Sequence, residues 1–388
     1  MARTAAVAPR GARTSDAGPP RQLLRSGAPV RSGAPVRSGA LLRSGAPVRS
    51  GGSVPSEDAA DLHDTVLDWY EENRRELPWR SPGVSAWAVL VSEVMLQQTP
   101  VRRVLPVYET WLARWPTPAA LAAEPSGAAV RAWGGLGYPR RALRLHAAAT
   151  VCRDRHGDRV PREAADLRAL PGVGEYTAAA VAAFAYGDRA LVLDTNVRRV
   201  LVRLLAGTAH PAAALTAAER ARAAAVLPAD PSTAARWSVG LMELGALVCT
   251  ARTPRCPDCP LKSRCRWAAA GRPGGTERAR PAQAWEGTDR QARGRLLAVL
   301  RGADDAVPAA ILRAAWDAAP TAGRDRRAAD GDPATWAKDR GAQAVRALSG
   351  LVADGLVEGG EHRGYALVGA LSSAGTRQVA RVAKGSGL

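Results

Sequence analysis

Two carboxylates lie in segments whose composition predicts an unusual environment for each. Glu93 is part of AWAVLVSEVMLQQ (residues 86–98), an apolar helix on which a carboxyl group is either buried and neutral or turned to the surface. Burial raises the pKa of a carboxyl group and keeps it protonated. Asp194 follows the apolar run 191–193 and precedes a helix predicted over 196–205. Because a helix N-terminus favours negative charge, we expect the pKa of Asp194 to stay low. One neutral and one ionised carboxyl group can together cleave a glycosidic bond.

A glycine-containing turn, LPGVG (residues 170–174), precedes Asp194 along the chain. Gly172 and Gly174 permit the backbone angles of a tight hairpin between two helices, and they leave room for another backbone to approach. The amide groups of such a hairpin, with those of the helix that follows, form an anion site suited to a DNA phosphate. The same five residues also fit an ordinary surface turn, but the continuation DTNVRRV from Asp194 favours the phosphate-binding hairpin.

These motifs together resemble a known family. The stretch 170–201 is similar to the helix-hairpin-helix and Gly/Pro-Asp signature of the endonuclease III superfamily of DNA glycosylases, and SEVMLQQT (residues 92–99) resembles the general-acid helix of its MutY branch. The resemblance covers residues 62–267. It implies an all-α, two-lobed fold with DNA in the cleft. It also implies that Glu93 protonates a ring nitrogen of an extruded adenine, while Asp194 stabilises the oxocarbenium that forms on the sugar.

The same resemblance implies a set of DNA contacts. Tyr138 would be a wedge that enters the base stack, although Pro139 stands where the family commonly has a second aromatic residue. The lyase branch carries a lysine at the position of Tyr176, so a monofunctional glycosylase is predicted. Arg198 would either pair with Asp194 or contact phosphate. The residues assigned to substrate or DNA binding are Gln97, Gln98, Tyr138, Gly172, Gly174, Tyr176 and Arg198.

Four of the five cysteines form a C-x6-C-x2-C-x5-C cluster at Cys249, Cys256, Cys259 and Cys265. Four thiolates in a short loop bind zinc or a [4Fe–4S] cluster, and by frequency alone zinc would come first. The resemblance implies [4Fe–4S], with a structural role and with a basic loop that faces DNA phosphate. A thiol cluster of this kind indicates a reducing compartment, so we expect a cytoplasmic, nucleoid-associated bacterial protein.

Composition and charge set the domain organisation. The chain has 388 residues and a formal charge of +18, which suits a polyanionic partner. Residues 1–56 contain nine arginines, and RSGAPV-like hexapeptides recur from Arg25, so a disordered arm is predicted. The predicted core covers 57–270 and consists of one lobe over about 84–200, a second lobe from 57–83 and 201–248, and an iron–sulfur loop over 249–265. A linker over 271–288, a winged-helix-like module over 289–370 and a tail over 371–388 are predicted to follow it.

Three functional hypotheses follow. The first is a monomeric glycosylase that hydrolyses the N-glycosidic bond of adenine paired with 8-oxoguanine or guanine in double-stranded DNA, with no membrane association. The second is a thymine or uracil mismatch glycosylase built on the same framework. The third is a DNA-binding protein that has lost the chemistry, which the presence of Glu93 and Asp194 disfavours.

Overall fold

The computed structural model describes residues 56–274, 285–318 and 333–371. The predicted arm with its hexapeptides, most of the linker and nearly all of the tail lie outside these ranges. The α-helices are α1 Ser56–Asn73, α2 Ala86–Leu96, α3 Val101–Arg114, α4 Pro118–Ala122, α5 Ser126–Ala132, α6 Arg140–Arg155, α7 Ala164–Ala169, α8 Glu175–Tyr186, α9 Thr195–Leu201, α10 Ala217–Ala225, α11 Pro231–Leu247, α12 Arg266–Ala269, α13 Asp289–Gly302, α14 Ala309–Asp317 and α15 Pro333–Ala353. None of the helices in the described ranges is both long enough and apolar enough to cross a membrane.

Two hydrophobic cores organise the helices. The first core is formed by the apolar faces of α2 to α8, and a cluster of tryptophans lies at its centre, with Trp111 in edge contact with Trp115 and Trp133. The second core joins α1 to α9, α10 and α11 and is flanked by three of the clustered cysteines. The chain therefore has the all-α, two-core organisation that the sequence predicts, and the cleft between the cores is bordered by α2, α8, α9 and α11.

Local sequence signals explain where the central helices begin and end. The Ser85 hydroxyl accepts from the Ala88 amide at the start of α2. The helix ends at Leu96, because Gln97 leaves the helical conformation with a ψ of 107°, and Gln98 follows with a φ of 56°. The helix predicted over 196–205 is shorter: α9 ends at Leu201 and a π-helical turn continues to Ala206. A π turn adds one residue per turn and is commonly found near functional sites.

The C-terminal segment packs directly on the first core. Helices α13, α14 and α15 are followed by an antiparallel hairpin of β1 (Val357–Gly360) and β2 (Gly364–Leu367). The Gly127 amide of α5 donates to the Val368 carbonyl at 3.0 Å, and a side chain at residue 127 would collide with that carbonyl. Arg131 and Arg301 add hydrogen bonds to carbonyls across the same contact. The apolar faces of α13 to α15 join the first core, so the segment forms one body with it.

Candidate active site

A cavity of 790 Å³ lies between the two cores. Glu93 of α2, Tyr176 of α8 and Asp194 at the start of α9 all line it, although they come from three separate regions of the sequence. Ligand cavities in proteins commonly enclose about 300–1,000 Å³. The cavity therefore has room for a nucleobase, and it presents two carboxyl groups to whatever enters.

Glu93 is buried, with 5% of its surface exposed. Its pKa is raised to about 7: burial is the main cause of the rise and the charge of Asp194 adds to it, while a hydrogen bond from Tyr176 and the positive charge of Arg80 oppose it. The Tyr176 hydroxyl donates to Oε2 of Glu93 at 2.9 Å. The structure thus selects the buried, protonatable alternative for Glu93 over the surface-facing one. Near neutral pH about half of the molecules carry the proton that a general acid needs.

Asp194 caps α9. Its Oδ1 accepts from the Val197 amide at 2.6 Å, and its Oδ2 accepts from Nδ2 of Asn196 at 2.7 Å. Burial nevertheless raises its pKa above the ordinary value, since desolvation outweighs the hydrogen bonds and the charge of Arg199. The expectation that the pKa of Asp194 stays low is therefore wrong: a helix N-terminus favours negative charge, but here it is enclosed. The hydrogen bonds still fix both oxygens of the carboxyl group in position.

A chain of hydrogen bonds runs from Asp194 to the cysteine loop. Oδ1 of Asn196 accepts from the Arg199 guanidinium at 2.8 Å, and Nε of Arg199 donates to the Cys249 carbonyl at 2.8 Å. Gly245 of α11 allows this close approach, because a Cβ there would lie 2.7 Å from Cβ of Asn196. The carboxyl group of Asp194 and the first cysteine are thus held by one set of contacts.

A buried ion cluster forms one wall of the cavity, and sequence reasoning missed it. Glu243 of α11 is fully buried and binds Arg75 with both oxygens at 2.6 and 2.9 Å. Its Oε2 also accepts from Arg80 at 2.9 Å. The cluster anchors the strap (residues 75–81), which places Trp79 against the cavity. The signal was present in the sequence, because Glu243, like Glu93, is an acid in an apolar helix.

Two loops project from the first core beside the cavity. The Gln98 loop (residues 97–99) follows α2, and the wedge loop (residues 134–138) precedes α6. Gln98 is exposed, and the Tyr138 side chain is 58% exposed. Gln97 turns inward, and its Nε2 lies 3.4 Å from Oγ1 of Thr177. Gln98 and Tyr138 are therefore accessible to solvent, whereas Gln97 is held inside.

The two hairpin glycines differ in their geometry. Gly172 has a φ of +83°, and a Cβ there would lie 2.8 Å from Cβ of Arg144, so both conformation and space require glycine. Gly174 has an ordinary φ of −93° and begins α8, with open space around its Cα. That open space is what the approach of another backbone requires.

Arg198 does not pair with Asp194. Its guanidinium binds Glu219 at 2.6 Å and the carbonyl of Ala212 at 2.7 Å, and only 12% of its side chain is exposed. It joins α9 to the loop before α10. Of the two roles considered from the sequence, the pairing with Asp194 is replaced by the pairing with Glu219, and the contact with DNA phosphate stays a prediction.

The four cysteines of the loop are partly buried, form no disulfide and lie close enough to influence one another electrostatically. Arg203 donates to Sγ of Cys249 at 3.3 Å. As the side chains stand, no three His, Cys, Asp or Glu residues in the described ranges are grouped to hold a metal ion. The donor set itself, four thiols with a guanidinium beside one of them, fits a metal or iron–sulfur centre.

Comparison with known proteins identifies the family. The sequence profile of the HhH-GPD superfamily base excision DNA repair proteins matches residues 91–224. The adenine DNA glycosylase of Mycolicibacterium smegmatis is 50% identical over 304 residues, which cover 78% of this chain and 95% of that protein. The adenine DNA glycosylase of Mycobacterium tuberculosis is 54% identical over 261 residues, which cover 67% and 85%. The chain belongs to the MutY-type adenine DNA glycosylase family of the HhH-GPD superfamily.

Membership of the MutY-type family makes this chain a base-excision DNA glycosylase, and DNA is its ligand. A further relative, the thymine-DNA glycosylase of Aeropyrum pernix, is 34% identical over 207 residues, which cover 53% of this chain and 92% of that protein. The predicted all-α helix-hairpin-helix fold and the predicted glycosylase enzyme class are confirmed, while the iron–sulfur loop and the winged-helix-like character of the C-terminal module stay predictions.

Proposed function

We propose that this glycosylase removes adenine from double-stranded DNA in which adenine is paired with 8-oxoguanine or guanine. The single observation that carries the proposal is that Glu93 and Asp194 share one buried cavity, with the pKa of Glu93 raised to about 7. Adenine is a poor leaving group until a ring nitrogen is protonated, and a carboxyl group with a pKa near the working pH is a suited donor.

The chemistry follows from the positions of the two carboxyl groups. Glu93 transfers its proton to a ring nitrogen of adenine, and the C–N glycosidic bond breaks with both electrons going to the base. The ionised form of Asp194 stabilises the oxocarbenium left on the sugar. Water then adds to the sugar carbon and returns a proton, so the products are adenine and an abasic site. The base must leave the duplex first, because neither group can reach a stacked nucleotide.

We infer that the reaction stops at the abasic site. Strand cleavage by the lyase branch requires an amine that attacks the sugar, and none of the residues that line the cavity is a lysine. Glu175 and Tyr176 occupy the positions after the hairpin, and Glu175 is exposed and paired with Arg220. The phenol of Tyr176 donates to Glu93 and orients it rather than acting as a nucleophile.

We assign a [4Fe–4S] cluster to Cys249, Cys256, Cys259 and Cys265. When bound, the cluster would hold the loop of residues 249–265 in a fixed shape, with its cations directed at DNA phosphate. Iron and acid-labile sulfide in anaerobically purified protein test this assignment, and their absence would reject it. We also propose that the enzyme acts as a monomer at the nucleoid in the bacterial cytoplasm.

The test is a panel of duplexes that carry A opposite 8-oxoguanine, A opposite G, and T opposite G, each treated with alkali after incubation to reveal abasic sites. Adenine release from the first two duplexes is expected. The 34% identity to a thymine-DNA glycosylase makes thymine release the second candidate, and preferential cleavage of the T:G duplex would favour it. The Asp194→Asn variant should bind the A:G duplex but release no adenine, and retained release would remove Asp194 from the mechanism.

A further inference from the structure

A single buried guanidinium connects the two loops beside the cavity. Arg141 lies in the first turn of α6 and is 6% exposed. Its side chain contacts both the Gln98 loop and the wedge loop. A charged group is placed in a protein interior at a cost unless its donors find acceptors, so its contacts identify what it holds.

The hydrogen bonds of Arg141 go to the last turn of α2 and to both loops. Its Nη1 donates to the carbonyls of Val94 and Met95 at 2.9 Å, and to that of Gln97 at 2.6 Å. Its Nη2 donates to Oγ1 of Thr99 at 2.8 Å and to the Gly137 carbonyl at 3.0 Å. One guanidinium therefore binds the end of α2, the Gln98 loop and the wedge loop together.

The residues at the tips of both loops have strained backbones. Gln98 has a φ of 56° and Tyr138 a φ of 46°, values that residues other than glycine seldom adopt. Each of these residues directly follows a carbonyl that Arg141 holds, at Gln97 and Gly137. Strained conformations persist only where the surrounding contacts enforce them, and they concentrate at functional sites.

Stacking adds a second link to the wedge loop. The guanidinium carbon of Arg141 lies 5.6 Å from the ring centre of Tyr138 and 5.1 Å from that of Trp133. Burial lowers the pKa of Arg141 to about 10, so the group still carries its charge at neutral pH. The guanidinium that binds the carbonyls therefore also makes a cation–π contact with the Tyr138 ring.

We propose that Arg141 is a positioning residue that holds Gln98 and Tyr138 as one rigid pair, so that both enter the base stack in a single step and extrude the target nucleotide. The proposal rests on the proposed function, since it assigns a role within base extrusion. Arg141 does not line the cavity and so does not take part in bond cleavage. Its loss should slow extrusion and leave the chemical step intact.

Two variants test the proposal. Arg141→Met keeps the length of the side chain and removes every donor, whereas Arg141→Lys keeps the charge but offers its donors from one point and so can hold only one loop well. The control is Arg155→Ala at the exposed far end of the same helix. Thermal unfolding of each purified full-length protein shows whether it is folded. If Arg141→Met does not fold, the rates of Arg141→Lys are compared with those of the control instead.

The measurement is the single-turnover rate of adenine release from two duplexes. In the first duplex the A:G pair has fully paired neighbours, and in the second the adenine is flanked by mismatches that have already weakened its stacking. Extrusion from a stacked duplex costs a few kcal/mol more. We expect Arg141→Met to lose about tenfold or more on the first duplex and little on the second, with Arg141→Lys between it and the control.

Three results would overturn the proposal. Equal losses on both duplexes would show that Arg141 acts on folding or on chemistry. No loss on either would show that the two loops need no common anchor. A loss of affinity for a duplex that already contains a stable abasic analogue, matching the loss in rate, would place Arg141 in DNA binding alone. If the unaltered enzyme releases adenine from neither duplex, the proposed function fails first, and that outcome is distinct from all three.

Discussion

The pH dependence of adenine release should report the pKa of Glu93. Since this pKa is about 7, the single-turnover rate should fall above neutrality, and it should fall again at low pH, where Asp194, whose pKa is raised by burial, becomes protonated. About one tenth of the molecules are protonated at pH 8 and about one hundredth at pH 9, which corresponds to a tenfold loss of rate per pH unit. The Tyr176 hydroxyl stabilises the ionised form of Glu93 and so holds this pKa down.

Replacing Tyr176 with Phe should therefore move the profile to higher pH. A hydrogen bond to a charged group contributes about 1.5–3 kcal/mol, and about 1.4 kcal/mol corresponds to one pH unit. The midpoint should rise by about one to two pH units, while the maximal rate falls because Glu93 is less well oriented. Tyr186→Phe is the matched control, since Tyr186 ends the same helix and its hydroxyl bonds the Val160 carbonyl, away from the cavity.

The assay is single-turnover release of adenine between pH 5 and 10 with enzyme in excess, and with DNA binding measured separately at each pH. A midpoint that stays in place in Tyr176→Phe would show that the hydroxyl does not bond the ionised carboxylate. A midpoint that moves to lower pH would refute the electrostatic reasoning as a whole, because it would make Tyr176 a group that raises the pKa of Glu93.

Three further outcomes are expected. Because the pKa of Glu93 is raised from 4.5 to about 7 in the folded protein, the buried charge destabilises the fold by about 3 kcal/mol once the pH exceeds 7. Glu93→Gln removes this charge and should therefore raise the melting temperature more at pH 9 than at pH 5. Glu243→Gln leaves Arg80 without its counter-charge, so the midpoint of adenine release should move to lower pH and the strap should loosen, as measured by proteolysis. Gly245→Ala should displace Asn196 and lower the rate of release by about tenfold or more, with a loss of stability of about 1–3 kcal/mol in urea unfolding.

Each of these expectations has a matched comparison within the chain. Gly341→Ala places the same methyl group in open space on α15, so neither rate nor stability should fall. Glu243→Asp keeps the counter-charge on a shorter side chain. The midpoint of its pH profile should therefore lie closer to that of the unaltered enzyme than the midpoint of Glu243→Gln does. An equal gain in melting temperature for Glu93→Gln at both pH values would mean that Glu93 is not buried as a charge above neutrality.

The parts of the site that the sequence predicts are those set by local structure. An apolar helix that carries a single acid, and an aspartate at the start of a helix, can both be recognised within a dozen residues, and the structure places Glu93 and Asp194 in one cavity. What could not be predicted depends on how the two cores meet. The raised pKa of Asp194 comes from desolvation by residues far away in sequence. The partner of Arg198, and the pairing of Glu243 with the strap, likewise join segments that no local pattern connects.

The close approach of α5 to the C-terminal hairpin should constrain the residue type at the position of Gly127 in homologous proteins. At position 127 the two backbones meet so tightly that only a hydrogen atom fits on the Cα. A homologue that ends after the cysteine loop has no such neighbour, and alanine or serine would suit its helix better than glycine. Among homologues, glycine at this position should occur together with a C-terminal extension that packs on α5. The residue type at this one position can therefore help to assign the end of an open reading frame whose boundary is uncertain.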